Sequence, residues 1–199
     1  MELDQVRAAA LTHFGIPRSA AGFDGTRFDS ASVTFLGLEP IEILRIPDGE
    51  FLHYVTLGGA RHPMTDPAAA LADPVRGPRA ELVLTLRGGA GAQAGIPRGL
   101  GVLIAAPAVE GVVLRTDALL DLGEPLWRNA PFTAALLGAA EIAEVPLPEP
   151  ADPVRFLTVV PITATEAAWV RVRGASALRE AWAEAGIDVR DPDRAAANL

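Results

Sequence analysis

Two histidines and an aspartate within one short stretch are the residues whose types best fit a catalytic role. His53 and His62 are nine positions apart, and Asp66 follows four positions later. Histidine exchanges protons near neutral pH and also binds metals. A metal site needs three or four converging ligands, whereas the chain has three histidines and no cysteine. The residues therefore predict no metal site, and a small hydrolase or ligand-binding enzyme that uses His53, His62 and Asp66 is the alternative function left open.

A glycine-rich segment at residues 88–95 lies between a predicted strand and a predicted helix, where a dinucleotide-binding fingerprint would lie. Its spacing is G-x-G-x-x-x-G rather than G-x-G-x-x-G. Pro97 follows, and proline has no N–H to offer a phosphate. The chain also lacks a Walker Gly-Lys-Ser/Thr and a Gly-x-Ser-x-Gly elbow. We therefore predict a flexible loop and no nucleotide or other cofactor.

The composition is that of a globular domain with an acidic surface. All 17 basic residues are arginines, and 25 acids give a net charge of −8. Nucleic-acid backbones require a basic patch, so nucleic acid is excluded and a basic protein partner is favoured. The start of the chain lacks the features of a secretory leader. The longest apolar run, residues 100–109, is too short to span a membrane. We expect a single cytoplasmic domain over residues 1–199.

Residues 51–57 form the strand around which the other elements are predicted to assemble. Both of its faces are largely apolar, which predicts a central strand covered on each side. Residues 41–46 precede it, and the intervening Pro47-Asp48-Gly49 is typical of an antiparallel hairpin. Further strands are predicted at residues 33–38, 81–86, 111–114, 119–122 and 154–160. Residues 132–137 fit either a strand or a helix.

Helices are predicted before, between and after these strands along the chain. Apolar residues at helical spacing predict an N-terminal helix over residues 3–14. Asp66 is placed to cap a short helix, and Pro97 to open one that ends at Pro107. Thr163 and Glu166 form a capping-box sequence that opens a helix to about residue 173. A last helix follows over residues 176–186, and residues 187–199 are predicted to be a tail. Residues 146–153 hold four prolines and predict an exposed connection.

Five blocks of the sequence follow one another in an order and spacing characteristic of one family. They are residues 42–64 (EILRIPDGEFLHYVTLGGARHPM), 79–87 (RAELVLTLR), 97–106 (PRGLGVLIAA), 123–126 (GEPL) and 154–166 (VRFLTVVPITATE). This succession, over about residues 30–185, resembles the Suppressor of fused (SUFU) domain family in its short bacterial form. The closing Asp191-Pro192-Asp193-Arg194 also resembles the end of bacterial members. The usual Trp-Pro before the mid-chain helix is Ile96-Pro97 here.

The resemblance implies an α+β fold with three layers, in which helices flank a mixed, largely antiparallel sheet. It implies a protein-binding function and no known catalytic activity. The animal member is a regulator that clamps a peptide of a zinc-finger transcription factor between two domains, and this chain resembles the N-terminal one. Bacterial members are proposed to be immunity proteins that neutralise toxins encoded by neighbouring genes.

The loops after the central strands are predicted to contact the partner, because connecting segments on a rigid sheet commonly carry binding residues. Trp127 is the tryptophan predicted to lie on the surface, since Trp169 and Trp182 have the spacing of helix core residues. Peptide addition to an open sheet edge is one predicted binding mode. The predicted contact residues are Arg61, His62, Asp66, Asp117, Asp121, Glu124 and Trp127.

Overall fold

The structure is a computed structural model that describes residues 3–16, 28–66, 68, 71–88 and 95–199. The glycine-rich loop and most of the helix predicted after Asp66 lie outside the described residues. Within them there are four helices, α1 (Leu3–His13), α2 (Ile96–Glu110), α3 (Ala164–Arg173) and α4 (Ala175–Glu184). There are also seven strands, β1 (Asp29–Val33), β2 (Ile41–Asp48), β3 (Phe51–Leu57), β4 (Arg79–Arg87), β5 (Leu119–Asp121), β6 (Phe132–Ala139) and β7 (Val154–Thr163).

The described strands form one sheet in the order β1-β2-β3-β4-β7-β6-β5. All neighbouring strands are antiparallel except β4 and β7, which are parallel. The sheet therefore consists of two antiparallel sections, β1 to β4 and β5 to β7, joined by one parallel pair. The predicted hairpin is present, with β2 and β3 in register from Glu42 opposite Leu57 to Asp48 opposite Phe51.

Apolar side chains alternate between the two faces of the sheet and bury a core on each. Leu82, Leu84 and Leu86 pack against α2 on one face. Val55 and Val83 pack against α1 on the other face, and α3 and α4 cover the β5 to β7 section there. These three layers confirm the predicted α+β class, and β3 is a central strand covered on both sides.

Three prolines predicted to end or interrupt elements lie inside them. Pro47 belongs to β2 and Pro161 to β7. The pairing of β2 with β1 ends at Arg45, and that of β7 with β4 ends at Val159, so neither proline removes a hydrogen bond there. Pro107 lies in the last turn of α2, where few helical hydrogen bonds follow, and the helix continues to Glu110.

The first predicted strand was placed too late in the chain. Strand β1 is Asp29–Val33, and a turn follows in which the Leu38 N–H donates to the Phe35 carbonyl at 3.1 Å. Gly37 in this turn has φ of 83°, which ends an extended run. No strand forms over the described residues 111–114, because Gly111 caps α2 in a left-handed conformation instead. Residues 132–137, left open by their sequence pattern, belong to strand β6.

The predicted tail contains a residue that is anchored deep in the domain. Arg194 is 6% exposed, and its guanidinium donates to both carboxylate oxygens of Glu166, at 2.7 and 2.9 Å. It also donates to the Pro161 carbonyl at 2.8 Å and lies over the rings of Phe132 and Trp182. Residues 187–199 contain no helix or strand, yet they are fixed to α3 by this ion pair.

Candidate functional site

A cleft of about 380 Å³ opens on the α2 side of the sheet. Its walls are the C-terminal half of α2, the segment leading into β2 and the turn after β3. Ile41, Met64 and Ile104 give it an apolar lining, and Arg61 and His62 lie at its rim. Two of the predicted contact residues therefore lie at one concave feature.

The turn after β3 is held from beneath by a buried acid of β4. Glu81 is fully buried, and its carboxylate accepts N–H groups of Gly58, Gly59 and Ala60 at 2.8, 3.3 and 3.0 Å. The Thr56 hydroxyl donates to the same carboxylate at 2.6 Å. Because these donors converge on one side chain, the turn has a single fixed shape.

The carbonyl groups of the same turn are held by a buried arginine of β4. Arg79 is 6% exposed, and it donates to the carbonyls of Ala60 and Arg61 at 2.9 and 2.8 Å. Burial lowers the pKa of Arg79, although arginine keeps its charge at any physiological pH. Two charged residues of one strand, Glu81 and Arg79, thus bind the N–H and carbonyl groups of the cleft rim respectively.

The buried carboxyl of Glu81 makes stability depend on pH. Burial raises its pKa from 4.5 to about 7, and the hydrogen bonds from Thr56 and the turn oppose that rise. Between these pH values the folded protein holds a proton that the unfolded chain has lost, so this contribution to stability is full below pH 4.5 and is lost as pH rises to 7.

We expect the free energy of unfolding of the wild type, relative to Glu81→Gln, to fall by about 3 kcal/mol across that range. Urea unfolding of both proteins at several pH values measures it. A constant difference between the two proteins would contradict the expectation.

Arg61, His62 and Asp66 each bind a different partner. The Arg61 guanidinium donates to the Pro40 carbonyl at 2.6 Å, which ties the turn to the segment before β2. His62 Nε2 lies 3.1 Å from the Glu39 carboxylate, and both side chains are exposed. The Asp66 carboxylate accepts the Ala68 N–H at 2.8 Å, which is the local bond expected of a capping residue.

His53 lies apart from His62 and Asp66. Its Nδ1 is hydrogen-bonded to the Thr85 hydroxyl at 2.9 Å rather than to backbone, and its ring stacks on Phe14. Burial lowers its pKa. His62 follows the end of β3 and lines the cleft, whereas His53 is early in that strand and is not among the residues that line it. The three residues of the hydrolase alternative therefore do not converge, and the described residues contain no metal-binding cluster.

The acids predicted after the later strands lie at the other end of the sheet, around the edge strand β5. Asp117 pairs with Arg179 of α4 at 2.5 Å. Asp121 pairs with Arg171 of α3, and Glu124 is exposed in the turn that follows. The predicted contact residues therefore form two separate groups, one at the cleft and one at the β5 edge.

Trp127 is part of the core and not of the surface. Its side chain is 5% exposed, and its ring lies 5.4 Å from that of Phe132. The turn Gly-Glu-Pro-Leu-Trp folds inward at Leu126 and Trp127, so its sequence pattern misled the prediction. Conversely, Arg79 and Glu81 were not predicted as site residues, because charged residues that alternate with apolar ones along a strand are typical of an exposed face.

The layers and the mixed sheet define a three-layer α+β domain. A model of the family described as Suppressor of fused protein (SUFU) matches residues 37–195. The chain belongs to this family, which confirms the resemblance. The family is one of protein-interaction modules. No curated protein matches the chain.

Solved structures share the fold at low sequence identity. A SUFU homologue from Neisseria gonorrhoeae is 18% identical, with a TM-score of 0.64, over 97% of this chain and 94% of that one. A Sufu–Fu complex is 14% identical, with a TM-score of 0.64, over 98% and 91%. Drosophila Suppressor of Fused is 14% identical, with a TM-score of 0.59, over 98% of this chain and 50% of that one. Among the described residues, none of the helices has the length and hydropathy needed to cross a membrane.

Proposed function

We propose that this chain is a non-enzymatic binding protein that inhibits a protein partner by covering part of its surface. A toxin encoded by a neighbouring gene is the partner class we favour, which would make the chain a cytoplasmic immunity protein. Membership of the SUFU family supports the binding role, and one structural neighbour was solved as a complex of Sufu with Fu. The observation that carries the proposal is the edge of β5.

Strand β5 is the last strand of the described sheet, and only β6 pairs with it there. The Leu122 N–H donates to the Thr133 carbonyl, and the Ala118 carbonyl accepts the Leu137 N–H, both at 2.9 Å. Since peptide groups alternate in direction along a strand, those of Leu119 and Asp121 point away from β6. An extended segment of a partner can pair with these groups.

The charges beside this edge are already paired within the chain. Asp117 and Asp121 bind Arg179 and Arg171 through side chains that are between two-fifths and just over half exposed. Such exposed pairs contribute only about 0–1 kcal/mol, so basic groups of a partner can replace the two arginines at little cost. The acids at the β5 edge can therefore exchange their arginine partners for basic groups of another protein, and Glu124 adds an exposed carboxylate.

Asp121→Pro is expected to weaken partner binding about fivefold, because it removes an outward N–H worth about 1 kcal/mol. It should leave the inward hydrogen bonds to β6 in place. The partner is first captured from a native extract, with the product of the neighbouring gene as the first candidate, and is then titrated by calorimetry.

Asp121→Ala is the matched control, because it removes the same carboxylate but keeps the N–H. Equal weakening by both variants would assign the effect to the side chain, and no weakening by either would rule out strand addition at β5. Measurable turnover that His53→Ala and His62→Ala abolish would replace the binding function with the hydrolase alternative.

A further inference from the structure

The cleft beside α2 is preformed in this protein. Its turn is fixed from below by Glu81 and Arg79, and Arg61 ties it to Pro40 across the rim. Gly59 lets α2 approach the turn closely, since a Cβ at this position would lie 2.2 Å from Ile104 Cγ1. An occupant would therefore not have to order these walls, which lowers the cost of binding.

Exposed apolar side chains gather in the segments that frame the cleft. Six large apolar side chains are exposed among the described residues. Leu36 and Val109 belong to residues 34–40 and 104–110, which contribute to the lining, and Leu71 and Val75 belong to residues 71–78, whose Pro78 carbonyl accepts the N–H of the lining residue Met64 at 2.8 Å. Val109 follows the lining residue Ala108, and Leu36 lies two residues before the lining residue Leu38. Exposed apolar surface that is concentrated around a concavity marks an interaction site.

The charge around the cleft is negative. The described segments that frame it, residues 34–40, 58–66, 71–78 and 104–110, carry four acids and two arginines, a balance of −2. The acids are Glu39, Asp66, Asp73 and Glu110, and one of the arginines, Arg61, is engaged by Pro40. The wall formed by α2 is its C-terminal half, where helix carbonyls favour cations. Pro107 leaves the Leu103 carbonyl as a further free acceptor in this wall, because proline has no N–H to donate to it.

We propose that this cleft receives one large apolar side chain from a protein partner, and that the partner carries lysine or arginine beside that side chain. A volume of about 380 Å³ lies near the lower end for ligand clefts, about 300–1,000 Å³. It accommodates a leucine or phenylalanine side chain, while the flanking cations meet the acidic rim. The inference rests on the proposed function, because it adds a second contact to the same binding role.

The test uses three soluble peptides and the full chain with labelled isoleucine and methionine methyl groups. The probes are acetylated, amidated Lys-Leu-Lys, Glu-Leu-Glu and Lys-Gly-Lys, titrated by NMR. We expect Lys-Leu-Lys to shift the Ile104 and Met64 methyl resonances in the millimolar range. Glu-Leu-Glu should bind roughly tenfold more weakly, and Lys-Gly-Lys should shift neither resonance. Equal binding of the two leucine peptides would overturn the basic character of the partner, and no methyl shift with Lys-Leu-Lys would overturn the site.

Ala108→Phe fills the cleft from an exposed position on α2 and should abolish the Lys-Leu-Lys shifts. Ala168→Phe, at an exposed position on α3, is the matched control and should leave them unchanged. If the native partner bound Ala108→Phe as tightly as wild type, the cleft would not be a contact and the protein-binding function would stand. If the peptides bound but no protein partner did, the proposed function would fail and the cleft would stand.

Discussion

Arg194→Ala is expected to lower the free energy of unfolding by about 3–5 kcal/mol. The substitution leaves Glu166, whose carboxylate is fully buried, without the guanidinium that donates to both of its oxygens. Burial alone would raise the pKa of Glu166, but the hydrogen bonds from Arg194 and Trp182 outweigh it and hold that pKa below its ordinary value. Urea unfolding at pH 7, followed by tryptophan fluorescence, measures the loss.

Arg155→Ala is the matched control, because Arg155 pairs with Glu144 at 2.8 Å on an exposed surface. We expect it to cost less than about 1 kcal/mol.

Because the pKa of Glu166 is lowered in the folded state, the contribution of the Arg194–Glu166 pair to stability is present above the ordinary carboxyl pKa and is lost as pH falls below it. If deletion of residues 187–199 left stability unchanged, the segment would be the tail that its sequence predicted.

Glu81→Ala is expected to cost about 3 kcal/mol or more at neutral pH. It leaves the N–H groups of Gly58, Gly59 and Ala60 without their acceptor, and an unsatisfied buried donor costs about 1–3 kcal/mol. It also leaves a cavity between β4 and the turn. Amide hydrogen exchange is the specific readout, because protection of these three amides should disappear before that of the sheet.

Glu144→Ala, on an exposed surface, is the control for loss of a carboxylate without loss of buried hydrogen bonds. It should change stability by less than about 1 kcal/mol. A Glu81→Ala protein with wild-type stability and protected turn amides would show that the turn is held by its packing against α2 and not by the carboxylate.

The sequence predicted the sheet and helices well where one physical rule dominated. Apolar periodicity located α1, β3 and β4, and the Thr163–Glu166 capping box located the start of α3. The predicted ends of β2 and β7 were wrong at their prolines, because the effect of a proline in a strand depends on whether a neighbouring strand is still paired at that position. Pro161 is acceptable only because β4 has already ended its pairing with β7, and no local pattern contains that fact.

The candidate site was harder to predict than the fold. Along β4, Arg79, Glu81 and Thr85 lie on one face, and Ala80, Leu82, Leu84 and Leu86 lie on the other, a pattern typical of a strand with one exposed face. In the structure Arg79 and Glu81 of that face are buried, and their charges serve as internal partners for a turn 18 to 23 residues earlier in the chain. Periodicity shows that a residue faces a given side, but only the tertiary arrangement shows what covers that side.

The order of the strands sets a minimum reach for any protein that touches both surfaces. The cleft lies beside β3, and four interstrand steps separate β3 from β5. At about 4.8 Å per step this is roughly 19 Å, or about six residues of extended chain. A shorter peptide can occupy one surface only, whereas a folded partner can bridge them and gain avidity from two individually weak contacts. The distance between the two surfaces would then select partners that are long enough to contact both.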